Sequence, residues 1–488
     1  MSRRLLARRA AVLGALVAVT RLPGLLAART FNTDEATLAV GGRALRDGGA
    51  LYVDVIDRKP PLPFAAYALL GTEHLQLVRL AVALLVLATA LLLADEGDRR
   101  WGEGAGWVAG VAAALGAAAL GPADAPAANF ELFALLPIAV AVVLAARGRA
   151  ATAGVALAVA VLCKQPAAAT IVPVAWSWWA TRRWRGVGVG LAAGAVAGLV
   201  LAAPFGLRAV IEWSLLGTGG YLALDAGDLG FAAVRLVALI GLALLFWGGG
   251  WILVAAARRR ADAPHAPDAP EPTASRADLD LWLLLGASLL GVVAGFRFFP
   301  HYLLQALPAV ALLAGRGAAH RPTWVRPALG WGIASVGVAL TLAWAVAVTD
   351  PPQVEVDLAR YAREHTTPDD QILVWGNEPE VYWRAHRLPA GGFTHSEFIT
   401  GWSGGRRPRT VTEANVADRE LYDEWIARLE ADPPELVLDT AAADLRGGRW
   451  FPLQGFDALA DLVRERYTRV ATIEGVPVYR LRPEGRIS

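Results

Sequence analysis

Ionisable side chains are concentrated in one short stretch near the start of the chain, residues 31 to 62. It contains Asp34 and Glu35, followed by Asp57 and Lys59, and it lies between two strongly apolar segments. A carboxylate in such a loop can take a proton from an attacking hydroxyl group, and a cation beside it can hold a phosphate leaving group. The stretch, called the polar island below, is therefore predicted to carry acid–base chemistry.

Further candidates lie near the predicted outer ends of apolar segments, where ionisable residues are costly and indicate function. These residues, with the polar neighbours that accompany them, are Asn129, Glu131, Lys164, Arg297, His301 and Tyr302. Structural explanations stay open for several of them. Lys164 can extend toward lipid headgroups, His301 can be a packing residue, and Glu131 can cap a helix.

The polar island also has structural explanations. Asp34 and Glu35 can simply open a helix, because acids favour a first turn and Thr33 can serve as the cap. The run Asp57-Arg58-Lys59 can be a solvated charge cluster at a membrane surface. What favours chemistry is the combination of the island with the other charged residues at one predicted membrane face.

Composition indicates a membrane protein. Of the 488 residues 55% are hydrophobic and 18% charged, and the mean hydropathy is +0.42. Apolar runs separated by arginine-rich breaks predict a polytopic α-helical membrane protein with about eleven transmembrane helices. A net charge of +2 without a basic patch argues against a nucleic-acid partner. The single cysteine, Cys163, excludes an intramolecular disulfide.

The elements that position the candidates follow from this topology. Residues 1–349 are predicted to form the transmembrane domain, with an external loop at 29–62 and a disordered cytoplasmic linker at 261–278. Within the loop, residues 35–46 are predicted to form an interfacial helix whose Leu38 faces lipid. Residues 350–488 are predicted to form a soluble α/β domain. Arginines at the predicted inner turns place the N-terminus in the cytoplasm and the C-terminal domain outside the plasma membrane.

Two motifs of the island resemble those of the GT-C membrane glycosyltransferases. Thr33-Asp34-Glu35-Ala36 resembles their Asp-Glu motif, and Tyr52-x-Asp54-x-x-Asp57-x-Lys59-Pro60-Pro61-Leu62 resembles a second element of the same loop. The branch is that of the dolichyl-phosphate-mannose protein mannosyltransferases and the aminoarabinose transferase of lipid A (glycosyltransferase family 39/83-like). The segment LCKQP around Lys164, Arg297 with His301-Tyr302, and Asn129-x-Glu131 in the second external loop are similar to further family signatures.

The resemblance implies an inverting transfer of a hexose or pentose from a polyprenyl-phosphate donor to a hydroxyl group of a lipid, glycan or protein. Asp34 would be the general base, supported by Glu35. The donor site would contain Asp57, Lys59, Lys164, Arg297, His301 and Tyr302, with Lys59 near the lipid phosphate. Arg58 stands where the aminoarabinose branch has an acid. A divalent metal, with Asp34 and Asp57 as candidate ligands, is therefore left open.

Two other classes of function are compatible with a polar island on a membrane protein. One is a transporter or flippase of lipid-linked sugars, and the other is a non-catalytic envelope assembly protein. Transporters commonly carry internal repeats and broken helices near the membrane midplane. The sequence shows no repeat, and its polar candidates lie at one predicted membrane face, which favours the enzyme.

Overall fold

The structure is a computed structural model that describes residues 3–118, 121, 123–180, 184–217, 227–258, 278–402 and 404–483. The chain is mostly helical, with a small sheet near its C-terminal end. This agrees with the fold class predicted from the sequence. The predicted disordered linker at 261–278 lies outside the described residues except for Asp278.

The described residues form two compact units. The first, called the helical unit, comprises Met1–Ala27, Gln76–Pro204 and Val234–Val348. The second, called the mixed unit, comprises Ala28–Leu75, Phe205–Ala233 and Thr349–Ser488. One junction between the units lies between Val348 and Thr349, and the polar island belongs to the same unit as the C-terminal region. The division into domains at 349 remains a prediction.

Helices make up the helical unit. Their bounds, including the long helix that begins at Asp228, are Arg3–Leu26, Gln76–Trp101, Glu103–Gly116, Phe130–Ala146, Ala150–Cys163, Ile171–Ala180, Trp184–Ala202, Asp228–Arg258, Leu279–Val293, Leu307–His320 and Val325–Val348. Short 3-10 segments extend some of them, at Gln165–Thr170, Ala203–Phe205, Pro300–Ala306 and Pro322–Trp324. Within the described part of the chain, 6 helical stretches are long and apolar enough to cross a membrane, and shorter apolar helices accompany them. The number of about eleven spans remains a prediction.

A helix break lies at Lys164 in the helical unit. Helix Ala150–Cys163 ends there, Lys164 has extended backbone angles, and a 3-10 turn begins at Gln165 with Pro166 in its first turn. Proline suits a first helical turn because it has no N–H to leave unpaired. The break leaves Lys164 outside regular helix, at the end of an apolar segment.

The mixed unit combines short helices with a four-stranded sheet. Its strands, in spatial order, are Ile372–Val374, Leu436–Leu438, Val476–Leu481 and Tyr467–Ile473. The first two are parallel, and the other pairs are antiparallel. The helices and helical turns are Thr33–Arg46, Pro61–Leu70, Leu207–Ala209, Val210–Leu216, Gln353–His365, Pro379–Ala385, Ala390–Gly392, Glu397–Thr400, Glu413–Asn415, Arg419–Ala431, Thr440–Ala443, Leu445–Trp450, Leu453–Gly455 and Asp457–Arg466.

The helix that carries the first acids differs from its sequence-based prediction. It runs from Thr33 to Arg46, and its N-cap is Asn32 rather than Thr33, because the Asn32 side chain accepts a hydrogen bond from the Glu35 N–H at 2.9 Å. Leu38, predicted to face lipid, is fully buried. The helix packs on Pro61–Leu70 and Pro379–Ala385. It is therefore a core element of the mixed unit, and the prediction that Leu38 faces lipid is wrong.

Candidate active site

The polar island contains an ion pair between its predicted base and its predicted phosphate ligand. The Lys59 ammonium lies 2.5 Å from Asp34 Oδ1 and 4.0 Å from Asp57 Oδ2. Asp57 also accepts a hydrogen bond from the Lys59 backbone N–H at 3.0 Å and is almost completely buried. Asp34 and Lys59 each keep about a fifth of their side chains exposed, 20% and 23%. A ligand can therefore reach the pair, whereas Asp57 is positioned to orient Lys59.

Tyr52 fixes the backbone of Lys59 from the other side. The Tyr52 hydroxyl donates to the Lys59 carbonyl at 2.8 Å and lies 3.0 Å from Ser214 Oγ, which itself donates to the same carbonyl at 3.2 Å. Burial raises the pKa of the Tyr52 phenol, so it stays a neutral donor. The Tyr52 backbone has a φ of 71°, a left-handed conformation that is uncommon for a large residue. Such backbone conformations cluster at functional sites.

Glu35 occupies a helix-start position. It is fully buried, and its Oε2 accepts a hydrogen bond from the Phe31 N–H at 3.0 Å. A carboxylate at the third position of a helix commonly binds backbone N–H groups ahead of it. Glu35 therefore holds the chain entering the helix, and through it the position of the neighbouring Asp34.

A segment more than 300 residues further along the chain packs against the island. The Ile56 N–H donates to the Gly392 carbonyl at 2.8 Å, and Thr37 Oγ1 lies 3.4 Å from Thr394 Oγ1. This segment, residues 392–398, also contains His395, whose charge environment includes Asp57. Burial lowers the pKa of the His395 imidazole, which favours its neutral form.

Arg58 is also held by this segment. Its guanidinium lies 3.6 Å from a Glu397 carboxylate oxygen and 4.3 Å from the centre of the Phe398 ring. Sequence reasoning did not single out residues 392–398. Only the polar run Thr394 to Glu397 between apolar neighbours hinted at them, and nothing in the local pattern indicated contact with the island.

A second polar cluster lies within the helical unit. The Lys164 ammonium is 2.8 Å from Glu131 Oε1 and 5.0 Å from the centre of the Tyr302 ring. His301 Nδ1 lies 3.0 Å from Asp124 Oδ1, and its Nε2 is 4.0 Å from Glu131 Oε1. Glu131 is 3% exposed, so its charge is neutralised by Lys164 rather than by water. Four of the residues predicted from sequence are thus brought together here.

Two other predicted residues of this unit are also buried. Asn129 caps helix Phe130–Ala146 with its backbone alone, and its side-chain oxygen and nitrogen have no hydrogen-bond partner among the described residues. Arg297 is 2% exposed and sits between Phe296 and Phe298, which both have a φ of 51°. Arg235 donates to the Arg297 carbonyl at 2.7 Å and so holds this unusual turn.

Each of the two lysines in the sequence, Lys59 and Lys164, is therefore paired with a carboxylate, one in each unit. Among the described residues, no group of three or more His, Cys, Asp or Glu could hold a metal ion. The nearest metal candidates, Asp34 and Asp57, both face the Lys59 ammonium. These residues do not fit a metal centre, and the chemistry below is derived without one.

The chain has the fold of the GT-C membrane glycosyltransferases. It is similar to ArnT from Cupriavidus metallidurans in the apo state, with a TM-score of 0.60, 16% sequence identity, and coverage of 98% of this chain and 99% of that one. The same protein bound to undecaprenyl phosphate gives a TM-score of 0.59 and 14% identity, covering 99% of this chain and 98% of that one. The neighbours and the apolar helices together identify a multi-pass membrane protein.

The oligosaccharyltransferase of Archaeoglobus fulgidus is a more distant neighbour. With a tethered acceptor peptide it gives a TM-score of 0.52 and 12% identity, covering 99% of this chain and 74% of that one. The sequence matches no protein-family model and no curated protein. The structural neighbours confirm the predicted GT-C fold.

Proposed function

We propose that the protein is a glycosyltransferase that moves a sugar from a polyprenyl-phosphate donor to an acceptor hydroxyl group on the outer face of the plasma membrane. The observation that carries this proposal is the partly exposed ion pair of Asp34 and Lys59 in a chain with the GT-C fold. Undecaprenyl phosphate bound to ArnT supports a polyprenyl phosphate as the donor's lipid part. A transporter is less favoured, because these neighbours are transferases.

In the proposed reaction Asp34 is the general base. The acceptor oxygen attacks the anomeric carbon as its proton passes to the Asp34 carboxylate, and the bond from that carbon to the phosphate oxygen breaks. The products are the glycosylated acceptor and the polyprenyl phosphate. Attack from the face opposite the phosphate inverts the anomeric centre. The Lys59 ammonium stabilises the charge that develops on the phosphate.

In the free enzyme the Lys59 ammonium neutralises the charge of the Asp34 carboxylate. A donor phosphate carries negative charge that competes with Asp34 for the same ammonium. Binding of the donor would therefore draw Lys59 toward the phosphate and free the Asp34 carboxylate to accept the proton. Asp57 keeps Lys59 anchored through its backbone N–H during this exchange.

Substitution of Asp34 tests the base. The purified full chain in detergent would be added to membranes from a strain that lacks the protein, which supply the acceptor. Undecaprenyl-phosphate mannose and undecaprenyl-phosphate aminoarabinose would be offered as donors. We expect Asp34→Asn to bind undecaprenyl phosphate about as well as the wild type but to lose at least 100-fold in transfer rate, as befits a general base. Asp47→Asn is the matched control, because Asp47 is an exposed acid at the other end of the same helix. Normal transfer by Asp34→Asn would refute the assignment.

Polar residues of the helical unit are also proposed to bind the polyprenyl phosphate. Lys164, Arg297, His301 and Tyr302 supply two cations, an imidazole and an aromatic ring that suit a phosphate and a sugar. We expect Lys164→Ala to weaken undecaprenyl phosphate binding about tenfold. Glu131→Gln removes the competing carboxylate and is expected to preserve that binding. Unchanged binding by Lys164→Ala would remove the cluster from the donor site.

A further inference from the structure

A cavity separate from the polar island lies within the mixed unit. Its volume is about 210 Å³, room for a phosphate group with part of a sugar ring rather than for a drug-sized molecule. Helix Gln353–His365 and the end of helix Pro379–Ala385 form most of its wall. The lining residues are Glu73, Val356, Ala359, Arg360, Arg363, Trp383, Arg384 and His386.

The charges in this cavity are unbalanced toward positive. Glu73 is its acid, and that carboxylate is already engaged by Arg43 at 3.1 Å, by Arg46 at 3.4 Å and by His386 at 3.2 Å. Three further arginines line the wall. The positive potential is therefore available to a ligand that carries negative charge.

Two of these arginines are available to a ligand. Arg360 pairs with Asp357 on its own helix. Arg363 and Arg384, by contrast, form no ion pair or hydrogen bond through their side chains in the part of the chain that the structure describes, and Arg384 Nε is buried. A buried guanidinium nitrogen without a partner is costly. Planar guanidinium groups match the oxygens of phosphate or carboxylate in two-pronged hydrogen bonds.

Two wall residues of the cavity, Trp383 and His386, are held by specific contacts. The Trp383 indole N–H donates to the Thr72 carbonyl at 2.7 Å, and its ring lies 5.3 Å from the Arg384 guanidinium. His386 has a φ of 57° and caps helix Pro379–Ala385 in a left-handed conformation. Non-glycine residues held this way cluster at ligand sites. Burial and then the charge of Arg43 lower the pKa of His386, which agrees with a positive field in the cavity.

We propose that this cavity binds a ligand bearing a phosphate group, with Arg363 and Arg384 on the phosphate oxygens and Trp383 as the apolar wall beside them. The ligand is either a phosphorylated sugar or the headgroup of an anionic lipid. The site does not depend on the transfer reaction proposed above, because it is defined by binding and uses neither Asp34, Asp57 nor Lys59.

Binding of glucose 1-phosphate to the full chain in detergent tests the proposal, with glucose as the uncharged comparison. In equilibrium dialysis, glucose 1-phosphate is expected to bind at least tenfold more tightly than glucose. Arg363→Gln, an exposed substitution that leaves the core intact, and Arg384→Gln are each expected to weaken it at least tenfold. Arg449→Gln is the control, because Arg449 is exposed in the same unit and does not line the cavity. Equal binding of both sugars, or unchanged binding in both variants, would overturn the proposal.

Nanodiscs distinguish the two sources of phosphate. If the ligand is a lipid headgroup, phosphatidylglycerol should compete for the cavity. Glucose 1-phosphate is then expected to bind at least fivefold more weakly in phosphatidylglycerol nanodiscs than in phosphatidylcholine nanodiscs, and Arg363→Gln should abolish that difference. Equal binding in both nanodiscs, lost in Arg363→Gln, assigns the site to a soluble phosphosugar. Transfer activity is measured in parallel. Asp34→Asn should lose transfer but keep glucose 1-phosphate binding, so a failure of the transfer proposal can be told apart from a failure of the cavity proposal.

Discussion

Tyr52 positions Lys59 within the polar island. Its hydroxyl group donates a hydrogen bond to the Lys59 carbonyl and lies within hydrogen-bond distance of Ser214 Oγ. Its hydroxyl and that of Ser214 both reach the Lys59 carbonyl, so Tyr52→Phe leaves the ring in place but removes one of two restraints. A hydrogen bond of this kind contributes about 1 kcal/mol. We expect kcat/KM for transfer to fall by up to roughly tenfold, with the loss in kcat larger than the change in KM.

The control for Tyr52 is a double-mutant cycle with Ser214→Ala. Because the two hydroxyl groups share one carbonyl, their effects should be non-additive by at least 0.5 kcal/mol, roughly the coupling expected of residues in contact. A Tyr52→Phe variant with wild-type kcat/KM at all donor concentrations would show that the phenol does not position Lys59.

Glu397 pairs with Arg58 of the polar island, and both side chains are mostly buried. Glu397→Gln removes the negative charge that balances Arg58, and a partly buried cation left unpaired is destabilising. We expect about a three- to tenfold loss of kcat/KM for transfer. Glu424→Gln, an exposed change on helix Arg419–Ala431, should have no effect. If Arg58→Ala/Glu397→Gln loses activity as the sum of the single variants, the two side chains do not act as a pair.

The sequence predicted which residues of the island form the pair but not those that support it. Asp34, Asp57 and Lys59 stood out because charges beside apolar segments are rare and have few structural uses. Thr394 and Glu397 are ordinary polar residues of an α/β region, and their role depends on a long-range contact. No local periodicity carries that information.

At the level of elements, the contact between helices Thr33–Arg46 and Pro61–Leu70 depends on small residues. A Cβ added at Gly42 would lie 2.7 Å from Tyr67 Cβ and 3.0 Å from the Ala68 backbone nitrogen. The Ala68 backbone cannot move without shifting its helix, so Gly42→Ala is expected to destabilise the folded chain by about 1–3 kcal/mol. Thermal unfolding of the full chain in detergent measures this.

Gly230 offers the matched control, because a Cβ there meets no atom within 4 Å in a helix. Gly230→Ala should be neutral or stabilise by up to about 1 kcal/mol, since alanine is the better helix former. A Gly42→Ala variant that unfolds at the wild-type temperature would show that the two helices can separate without cost.

Local sequence indicates the strands of the mixed unit, whereas the exposure of helix Thr33–Arg46 was predicted wrongly. Leu436-Val437-Leu438 is a short apolar run with β-branched content, which identifies a buried strand. For the helix, a face of leucine and alanine is compatible with contact either with lipid or with a protein core. Only the partner helices decide, and they are not encoded in the local sequence.

At the scale of the whole molecule, the sequence predicted a membrane fold, which the structural neighbours confirm, and a C-terminal α/β region, which the four-stranded sheet near the C-terminal end bears out. The grouping of the polar island with that region was not predicted. Apolar runs indicate membrane segments, but the sequence of a loop between them does not indicate which element the loop packs against. The contact of Ile56 with Gly392 shows that such a grouping arises from backbone pairing across the chain.

The stability of the mixed unit should depend on pH through a buried acidic group. Arg446 pairs with Glu355 at 2.9 Å and with Glu380 at 2.8 Å, and a second buried acid, Glu378, accepts a hydrogen bond from Thr440. Burial, followed by the charge of Glu380, raises the pKa of Glu355 to about 7. Between the unfolded pKa of 4.5 and the folded value, the folded chain holds a proton that the unfolded chain has lost. Stability from Glu355 is therefore fully present below the lower value and is lost as the pH rises through the upper one.

We expect the thermal midpoint of the full chain in detergent to fall between about pH 5 and pH 8, by a Glu355 contribution on the order of 1–3 kcal/mol. Glu355→Gln mimics the protonated form and should flatten this part of the profile, while Glu424→Gln should keep the wild-type slope. Burial raises the pKa of Asp439 to about 6. Asp439 therefore adds a smaller change in the thermal midpoint at lower pH, which Asp439→Asn should remove. Hydrogen exchange of the amides in strand Ile372–Val374 locates the effect in the mixed unit. A Glu355→Gln profile as steep as that of the wild type would show that this carboxyl is charged in the folded chain throughout the range.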